Sequence, residues 1–437
     1  MSDVQLSIEQ WSGLTAAEQA ARLARPKQSR SEGLKNTVAE ILQQVRQQGD
    51  EAVLQLTQRF DYPEAKSLTL NTEEKQQALQ LLDSETKAAI DTAYGTIKRF
   101  HQAQQPSSTQ VETAPGVICE SRYAAINSVG LYIPGGTATL PSTALMLGIP
   151  AQLAGCPRKV LATPPARDGS IPPAIVYVAE LCQIDEIILC GGAQAVAALA
   201  YGTDSIRAVD KIFGPGNAFV TEAKQQVSQD SSGVAIDMPA GPSELLVIAD
   251  DSANAAFVAA DLLSQAEHGA DSQVLLLTPS AELAKEVEQQ LIKQTALLSR
   301  ADIIKQALAN SRLLVTDSLA DAIAISERYA PEHLSLQFDR ARDYLPRLTT
   351  AGSIFLGHYT PESGGDYATG TNHVLPTYGY ARNYSSLGLT DFYRRYTIQE
   401  ATQQGLSGLA AAISRLAEIE GLDAHKRAVT VRLEGLE

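Results

Sequence analysis

The chain has 437 residues, 44% of them hydrophobic and 19% charged, which gives roughly two to four domains of an ordinary soluble type. Lys and Arg number 35 against 50 Asp and Glu, and the net charge of −15 repels phosphate backbones and anionic membrane surfaces, so nucleic acid and membrane drop out as expected partners. The four cysteines, Cys119, Cys156, Cys182 and Cys190, form no Cys-x-x-Cys pair and match neither a zinc knuckle nor a disulfide framework. The start, Met-Ser-Asp-Val, has no basic stretch leading into an apolar one, and no apolar run reaches membrane-span length. The expected location is the cytoplasm.

Residues 1–30 are polar around Trp11 and read as an arm or helix pair docked on the body. Helical spacing follows over 31–104, with Val38, Ile41, Leu42 and Val45 on one face and Leu79, Leu82, Ala89 and Ile90 on another. From about 123 strand-length apolar runs alternate with helical ones. The first block expects strands at Asn127–Ile133, Lys159–Thr163, Glu186–Cys190, Lys211–Phe213 and Val234–Asp237. Helices at Pro141–Ala154, Pro173–Cys182, Ala193–Tyr201 and Ala218–Val227 separate them. The pattern restarts with strands at Glu244–Ala249, Gln273–Leu277, Leu313–Thr316, His333–Phe338 and Ser353–Leu356. Its helices are Asp251–Glu267, capped by Asp251 or Ser252, then Ala281–Leu298 and Ala320–Tyr329. Amphipathic helical elements at Gly405–Ile419 and Leu422–Leu433 form a tail whose apolar stripe must pack on its own body or on a partner. The expected fold class is α/β: two Rossmann-like, incomplete parallel-sheet domains with a helical N-terminal arm and a small helical C-terminal tail. Duplication of one domain is an open alternative, since no residue-level repeat is visible.

Several stretches carry residue types suited to chemistry. In Ser264-Gln265-Ala266-Glu267-His268-Gly269, Gln265 and His268 share a face of a helix's last turn. An amide oxygen and an imidazole can ligate a borderline metal, and a His there can equally serve the helix dipole. Three Gly-rich turns, Gly130–Gly136, Gly191–Gln194 and Phe213–Asn217, lie between a strand and a helix. They fit nucleotide or phosphate binding at the carboxyl edge of a sheet, or simply tight turns, and none matches G-x-G-x-x-G. In Ala330-Pro331-Glu332-His333-Leu334 a carboxylate and an imidazole sit at a strand mouth, projecting in different directions and suited to two proton transfers. Thr360–His373 reads as a long Gly/Thr/Ser loop in which Asp366 is a candidate oxygen ligand and His373 a candidate contact. Glu420 and His425 lie in the tail.

Taken in order, these pieces, with Met238–Glu244 and Val374–Thr377, resemble the histidinol dehydrogenase family over most of the chain. The resemblance implies NAD-dependent oxidation of L-histidinol through L-histidinal to L-histidine, the last step of histidine biosynthesis. It implies zinc held at Gln265, His268 and Asp366, with His425 supplied by the other subunit of a homodimer. Ser243, His373 and Glu420 join those residues and His333 as substrate contacts. Tyr132, Gln194 and Asn217 are implied as NAD contacts. Glu332 is implied as the base that activates water and His333 as the base at both hydride transfers. The domains expected on this basis are an arm at 1–30, a metal and catalytic domain at 31–110 plus 238–381, an NAD domain at 111–237, and a dimer-exchanged tail at 382–437. Two rivals use the same residues: a metal-dependent hydrolase with Glu332 as base, and a non-catalytic sensor.

Overall fold

The computed structural model describes residues 6–26, 32–135, 140–166, 168–184, 186–231, 233–239 and 241–434. Gly136, Ala240 and parts of the arm lie outside the described residues. The arm forms β1 (Ile8–Gln10) and α1 (Ala16–Arg22), followed by α2 (Glu32–Gln48), α3 (Asp50–Phe60), α4 (Thr72–Leu81) and α5 (Ser84–Gln102). After β2 (Thr109–Ala114) and β3 (Val117–Ala125) comes the first βα block. It contains β4 (Ser128–Tyr132), α6 (Pro141–Ala154), β5 (Arg158–Thr163), α7 (Pro173–Leu181), β6 (Glu186–Leu189), α8 (Gly192–Tyr201), β7 (Lys211–Phe213), α9 (Ala218–Gln229) and β8 (Ala235–Ile236). The second block contains β9 (Glu244–Ala249), α10 (Ala255–Ala266), β10 (Gln273–Thr278), α11 (Ala281–Thr295), α12 (Ala301–Ala309), β11 (Arg312–Val315), α13 (Leu319–Tyr329), β12 (His333–Gln337), β13 (Ser353–Leu356) and α14 (Glu362–Tyr367). The tail is β14 (Tyr393–Ala401), α15 (Gln403–Ile419) and α16 (Asp423–Leu433).

Among the described residues the strands form three sheets, two of them parallel as the βα alternation requires. The first sheet has the order β6-β5-β4-β7-β8 and the second β1-β11-β10-β9-β12-β13. Period-two alternation sends neighbouring residues to opposite faces. On β9, Leu245 and Val247 join the core under α10, α11 and α12, whereas Leu246 and Ile248 join the core under α13. On β4, Val129 and Leu131 face α5, α6 and α7. Gly130 between them lets α8 come close, since a Cβ there would lie 3.0 Å from Leu199. Helix α6 is buried nearly all round, which explains its lack of an amphipathic stripe; Pro141 starts it and left-handed Gly155 stops it.

Three features differ from the sequence reading. Helices α2 to α5 pack mainly on the first sheet, with Val38, Ile41, Val45 and Val53 in the same core as Val160 and Ala198, whereas the sequence reading groups 31–110 with 238–381; α5 also reaches that segment, where His101 meets Asn372. Their stripes declare a buried face, and nothing in a stripe names the sheet it meets. The arm is partly a strand, β1, which extends the second sheet by pairing in parallel with β11. Finally, β2, β3 and β14 make an antiparallel sheet that alternation of strands and helices could not announce, and the tail therefore opens with a strand.

The turn after β7 is clamped. Gly214 N–H donates to Asp237 Oδ2 at 2.7 Å and its carbonyl accepts from Lys224 Nζ at 2.8 Å, while Lys224 and Asp237 form a buried ion pair. At Gly214 φ is +122°, and a Cβ would sit 2.1 Å from the Tyr132 carbonyl oxygen. Gly214→Ala should therefore lower stability by about 2–4 kcal/mol, read as a lower urea midpoint at unchanged slope.

Candidate active site

The two parallel sheets present opposite edges to one cleft of about 780 Å³. From the first sheet come the turns after β4 (Pro134, Gly135) and after β7 (Gly214 to Asn217). These flank the point where strand order reverses, the usual ligand position in an open parallel sheet. From the second sheet come residues before its strands: Ser243 before β9, Ser272 before β10 and Glu332 before β12. Helix α10 runs back against the strands, so its carboxyl end delivers Gln265 and His268 to the same amino edge. Its cap is Asn254, whose side chain accepts from Ala256 N–H. The expected Asp251 or Ser252 cap is absent there because Ser252 is tied into a turn on Asp250 Oδ1.

Glu332 and His333 converge on the backbone of one residue, Glu244, instead of diverging. Glu332 Oε2 accepts from Glu244 N–H at 2.8 Å, and His333 Nδ1 lies 3.0 Å from the Glu244 carbonyl oxygen. A carbonyl only accepts, so Nδ1 carries the proton and Nε2 presents its lone pair. That Nε2 faces Glu362 Oε1 at 3.7 Å. Burial pushes the His333 pKa down to about 4, against the opposing charge of Asp366, so the ring is neutral at physiological pH. Burial pushes the Glu332 carboxyl well above the usual range; the Glu244 N–H opposes this, and the charges of Glu244, Asp366 and Glu362 add to it.

Asp366 is not on a structureless loop. It sits on α14, where Glu362 lies one turn earlier on the same face. His333, Glu362 and Asp366 offer ligand atoms that all lie within 4.8 Å of one another. Glu362 is fully buried, with Oε2 accepting from Ser264 Oγ at 2.7 Å and Oε1 unpartnered. Burial, with Asp366 adding, pushes its pKa up to about 8. His268 Nδ1 is 3.4 Å from Ser243 Oγ and its Nε2 is 3.9 Å from Asp366 Oδ2. His373 Nδ1 donates to the Asp366 carbonyl at 2.9 Å, and its Nε2 lies 3.2 Å from Thr143 Oγ1.

Gln265 gives the test of a cation here. It is fully buried, yet neither amide atom has a hydrogen-bond partner. An unsatisfied buried polar group costs about 1–3 kcal/mol. A buried, unpartnered amide in the lining of a cleft that also holds the His268 imidazole and the Asp366 carboxylate fits a borderline divalent cation such as zinc.

Ser243, Gln265, His268, Glu332, His333, Asp366, His373 and Asn217 thus line one cleft. Tyr132 and Gln194 do not line it. They are buried behind the Gly191–Gly192 turn, where Tyr132 Oη accepts from Gly192 N–H at 3.1 Å and Gln194 Nε2 lies 3.4 Å from Asp61 Oδ2. Glu420 and His425 are exposed on the tail, whose helices pack on each other and on β14. Glu362 carries no signal while its segment reads as a loop, because the four-residue spacing to Asp366 has meaning only on a helix. Cys156, Cys182 and Cys190 are buried, and burial pushes Cys156 up to about 11 and Cys182 up to about 12, leaving these thiols poor nucleophiles.

Comparison with known proteins agrees with this geometry. The sequence model of the histidinol dehydrogenase family matches residues 23–433. The histidinol dehydrogenase of Idiomarina loihiensis is 65% identical over 434 residues, spanning 99% of this chain and 98% of that one. The crystal structure of histidinol dehydrogenase from Elizabethkingia anophelis superposes with a TM-score of 0.94 at 46% identity, over 100% of this chain and 99% of that one. A betaine aldehyde dehydrogenase from Staphylococcus aureus, at 12% identity and a TM-score of 0.50 over 90% of this chain and 86% of that one, is similar in fold alone.

The raised pKa of Glu362 makes a stability prediction. The folded protein holds this proton up to about pH 8, whereas the unfolded chain releases it near the ordinary carboxyl value of 4.5. Its contribution is therefore present below the unfolded value and lost as pH rises toward 8. In chelator-treated protein, Glu362→Gln should flatten the fall in unfolding free energy between pH 5 and pH 8, measured by urea titration at both.

Proposed function

The chain belongs to the histidinol dehydrogenase family and is an oxidoreductase of the last step of histidine biosynthesis; from that premise we propose that the cleft is a single active site for both oxidations, from L-histidinol to L-histidinal to L-histidine. The observation that supports this most is the unpartnered Gln265 amide, buried beside His268 and Asp366 and lining one cleft with the neutral His333. The hydrolase rival leaves the clamped turn after β7 without a task, and the sensor rival leaves Glu332 and His333 without one.

Gln265, His268 and Asp366, with His425 of the partner subunit, would hold zinc, which would supply a Lewis-acid contact for the substrate's imidazole and amine nitrogens, and NAD+ would supply the hydride acceptor for each oxidation. His333 Nε2 takes the hydroxyl proton of histidinol as the first hydride leaves carbon. Glu332 takes a proton from the water that attacks the aldehyde carbon. Its raised pKa makes it a stronger base once ionised. The aldehyde oxygen takes back the proton that His333 gained, which gives the hydrate and frees the ring, and His333 then takes a hydroxyl proton of the hydrate as the second hydride leaves; alcohol, one water and two hydride acceptors thus give the carboxylate and three protons, one left on Glu332, one on His333 and one lost from the acid product. No thioester is needed, which accords with three deeply buried thiols. Ser243 and His373 contact the substrate, with Glu420 and His425 brought by a second copy of the chain. Asn217 meets the cofactor in the cleft, and Tyr132 and Gln194 shape the turn beside it.

The shared site rests on the tail. Leu416 and Ile419 are 60% and 67% exposed on α15, an apolar face suited to covering by a homodimer partner. No described helix is long and apolar enough to cross a membrane, and we place the enzyme in the cytoplasm with the rest of this proposal.

Glu332→Gln should lower NADH formation from histidinal by about 10²–10³-fold while sparing hydride transfer from histidinol. A normal rate from histidinal would remove the water-activating role. Mixing His425→Ala chains with Gln265→Ala chains should recover about one site's worth of activity per mixed dimer, roughly half that of the wild-type dimer, because one cleft then holds a complete ligand set. No recovery in mixtures shown to contain heterodimers would count against the shared site.

A further inference from the structure

We infer that Arg25, in the N-terminal arm, is a positioning residue of this reaction that sets the Glu332–His333 pair through Glu244. This rests on the roles proposed above for that pair. Glu244 is the common support of both side chains. Its N–H donates to Glu332 Oε2 and its carbonyl accepts from His333 Nδ1. Its own carboxylate points the other way, into the protein, where it is 2% exposed.

Arg25 meets it there with a fork. Nε donates to Oε1 and Nη2 to Oε2, the latter at 2.9 Å. The same Nη2 donates to the carbonyls of Tyr329 at 2.9 Å and Ala330 at 3.2 Å. The guanidinium also stacks on the Tyr329 ring, 3.9 Å from its centroid. Ala330 is left-handed, with φ +54°, in the turn that leads from α13 to Glu332. Arg25 therefore ties together both strand mouths: Glu244 at the start of β9 and the turn that delivers Glu332 to β12. A planar fork with fixed geometry can hold both, and a single ammonium cannot reproduce it.

The arm around Arg25 is itself fixed. Gln273 Nε2 donates to Ala24 O at 3.1 Å, and Tyr329 Oη donates to Gln273 Oε1 at 2.7 Å. Tyr378 Oη donates to Pro26 O, and Tyr378 N–H donates to Glu244 Oε1 at 2.8 Å. A purely structural strap would need none of this to converge on one carboxylate behind the catalytic pair.

The charge matters as well as the geometry. The ionisable groups bearing on Glu332 are Glu244 on β9, Tyr329 on α13, His333 on β12, and Glu362 and Asp366 on α14. Arg25 is the cation paired with the first of these. Its removal leaves the Glu244 charge facing Glu332 across one peptide.

The test uses the full-length dimer, with histidinol and histidinal as separate substrates. Arg25→Leu should lower kcat from histidinal about tenfold or more, leave KM for histidinol and zinc content within about twofold, and move the acid limb of the kcat–pH profile to higher pH. Adding Glu244→Gln to Arg25→Leu should return that limb toward the wild-type position. Arg25→Lys keeps the charge and loses the fork, so it should lower kcat with the limb unmoved; it also serves should Arg25→Leu not fold. Wild-type kcat in Arg25→Lys, or a fall in kcat in Arg25→Leu with no shift of the limb, overturns the inference. If Glu332→Gln retains full turnover of histidinal, the reading of the pair itself fails; if Glu332→Gln is inactive and both Arg25 variants behave as wild type, only the inference about Arg25 fails.

Discussion

Four carboxylates, Glu244, Glu332, Glu362 and Asp366, are buried at the amino edge of the second sheet around one neutral imidazole. Carboxylates in such a place repel each other and resist ionisation, so the protein must supply cations, donors or protons to each. It does so differently every time. Arg25 forks Glu244, the Glu244 N–H bonds Glu332, and Ser264 bonds Glu362, which keeps its own proton up to about pH 8. Asp366 is the exception: its oxygens stand 3.9 and 3.7 Å from ring nitrogens of His268 and His373, beyond hydrogen-bond reach. That remaining demand for positive charge lies where Gln265 has an amide with no partner. A cation answers both at once.

The use of opposite sheet edges has an electrical logic. At the carboxyl edge of the first sheet, α9 starts at the cleft, and helix starts present N–H groups and the positive end of the dipole. The pyrophosphate of a dinucleotide suits that edge. At the amino edge of the second sheet, α10 ends at the cleft and presents the negative end of its dipole beside Gln265 and His268. A metal cation suits that one. Two blocks with the same local topology therefore supply unlike poles to one cleft, simply by facing it with opposite ends.

What was legible in the sequence follows the same physics. Apart from β1, the strands of both parallel sheets and most helices could be read, because burial on both faces gives near-continuous apolar runs such as Leu245 to Ala249. The cleft-lining residues Gln265, His268, Glu332, His333 and Asp366 stood in short polar stretches between those runs. The antiparallel sheet was not legible. Strands β3 and β14 lie far apart in the chain, and β14 is mostly exposed, so neither hydropathy nor neighbourhood marks the pair. Helix α14 was hidden by its glycines, Gly364 and Gly365, and Glu362 was hidden with it. Arg25 was invisible for a different reason: its partner is 219 residues away, and a lone Arg in a polar arm carries no local signal.

On the proposed reading, the tail connects the site to assembly. Its helices pack on each other and on β14, which leaves Leu416, Ile419, Leu422 and Val431 exposed in a single chain. On the proposed reading, the contact that covers those side chains is also the contact that brings His425 of the partner subunit to the metal. Binding and association then share one free-energy cycle: whatever factor the metal contributes to dimer affinity, the dimer contributes to metal affinity. Within one chain the pull for a cation is already present, in the Gln265 amide and the Asp366 carboxylate. On that reading a cation placed there and lacking its last ligand would favour association, and the acidic cluster that strains the monomer would become a source of stability for the pair.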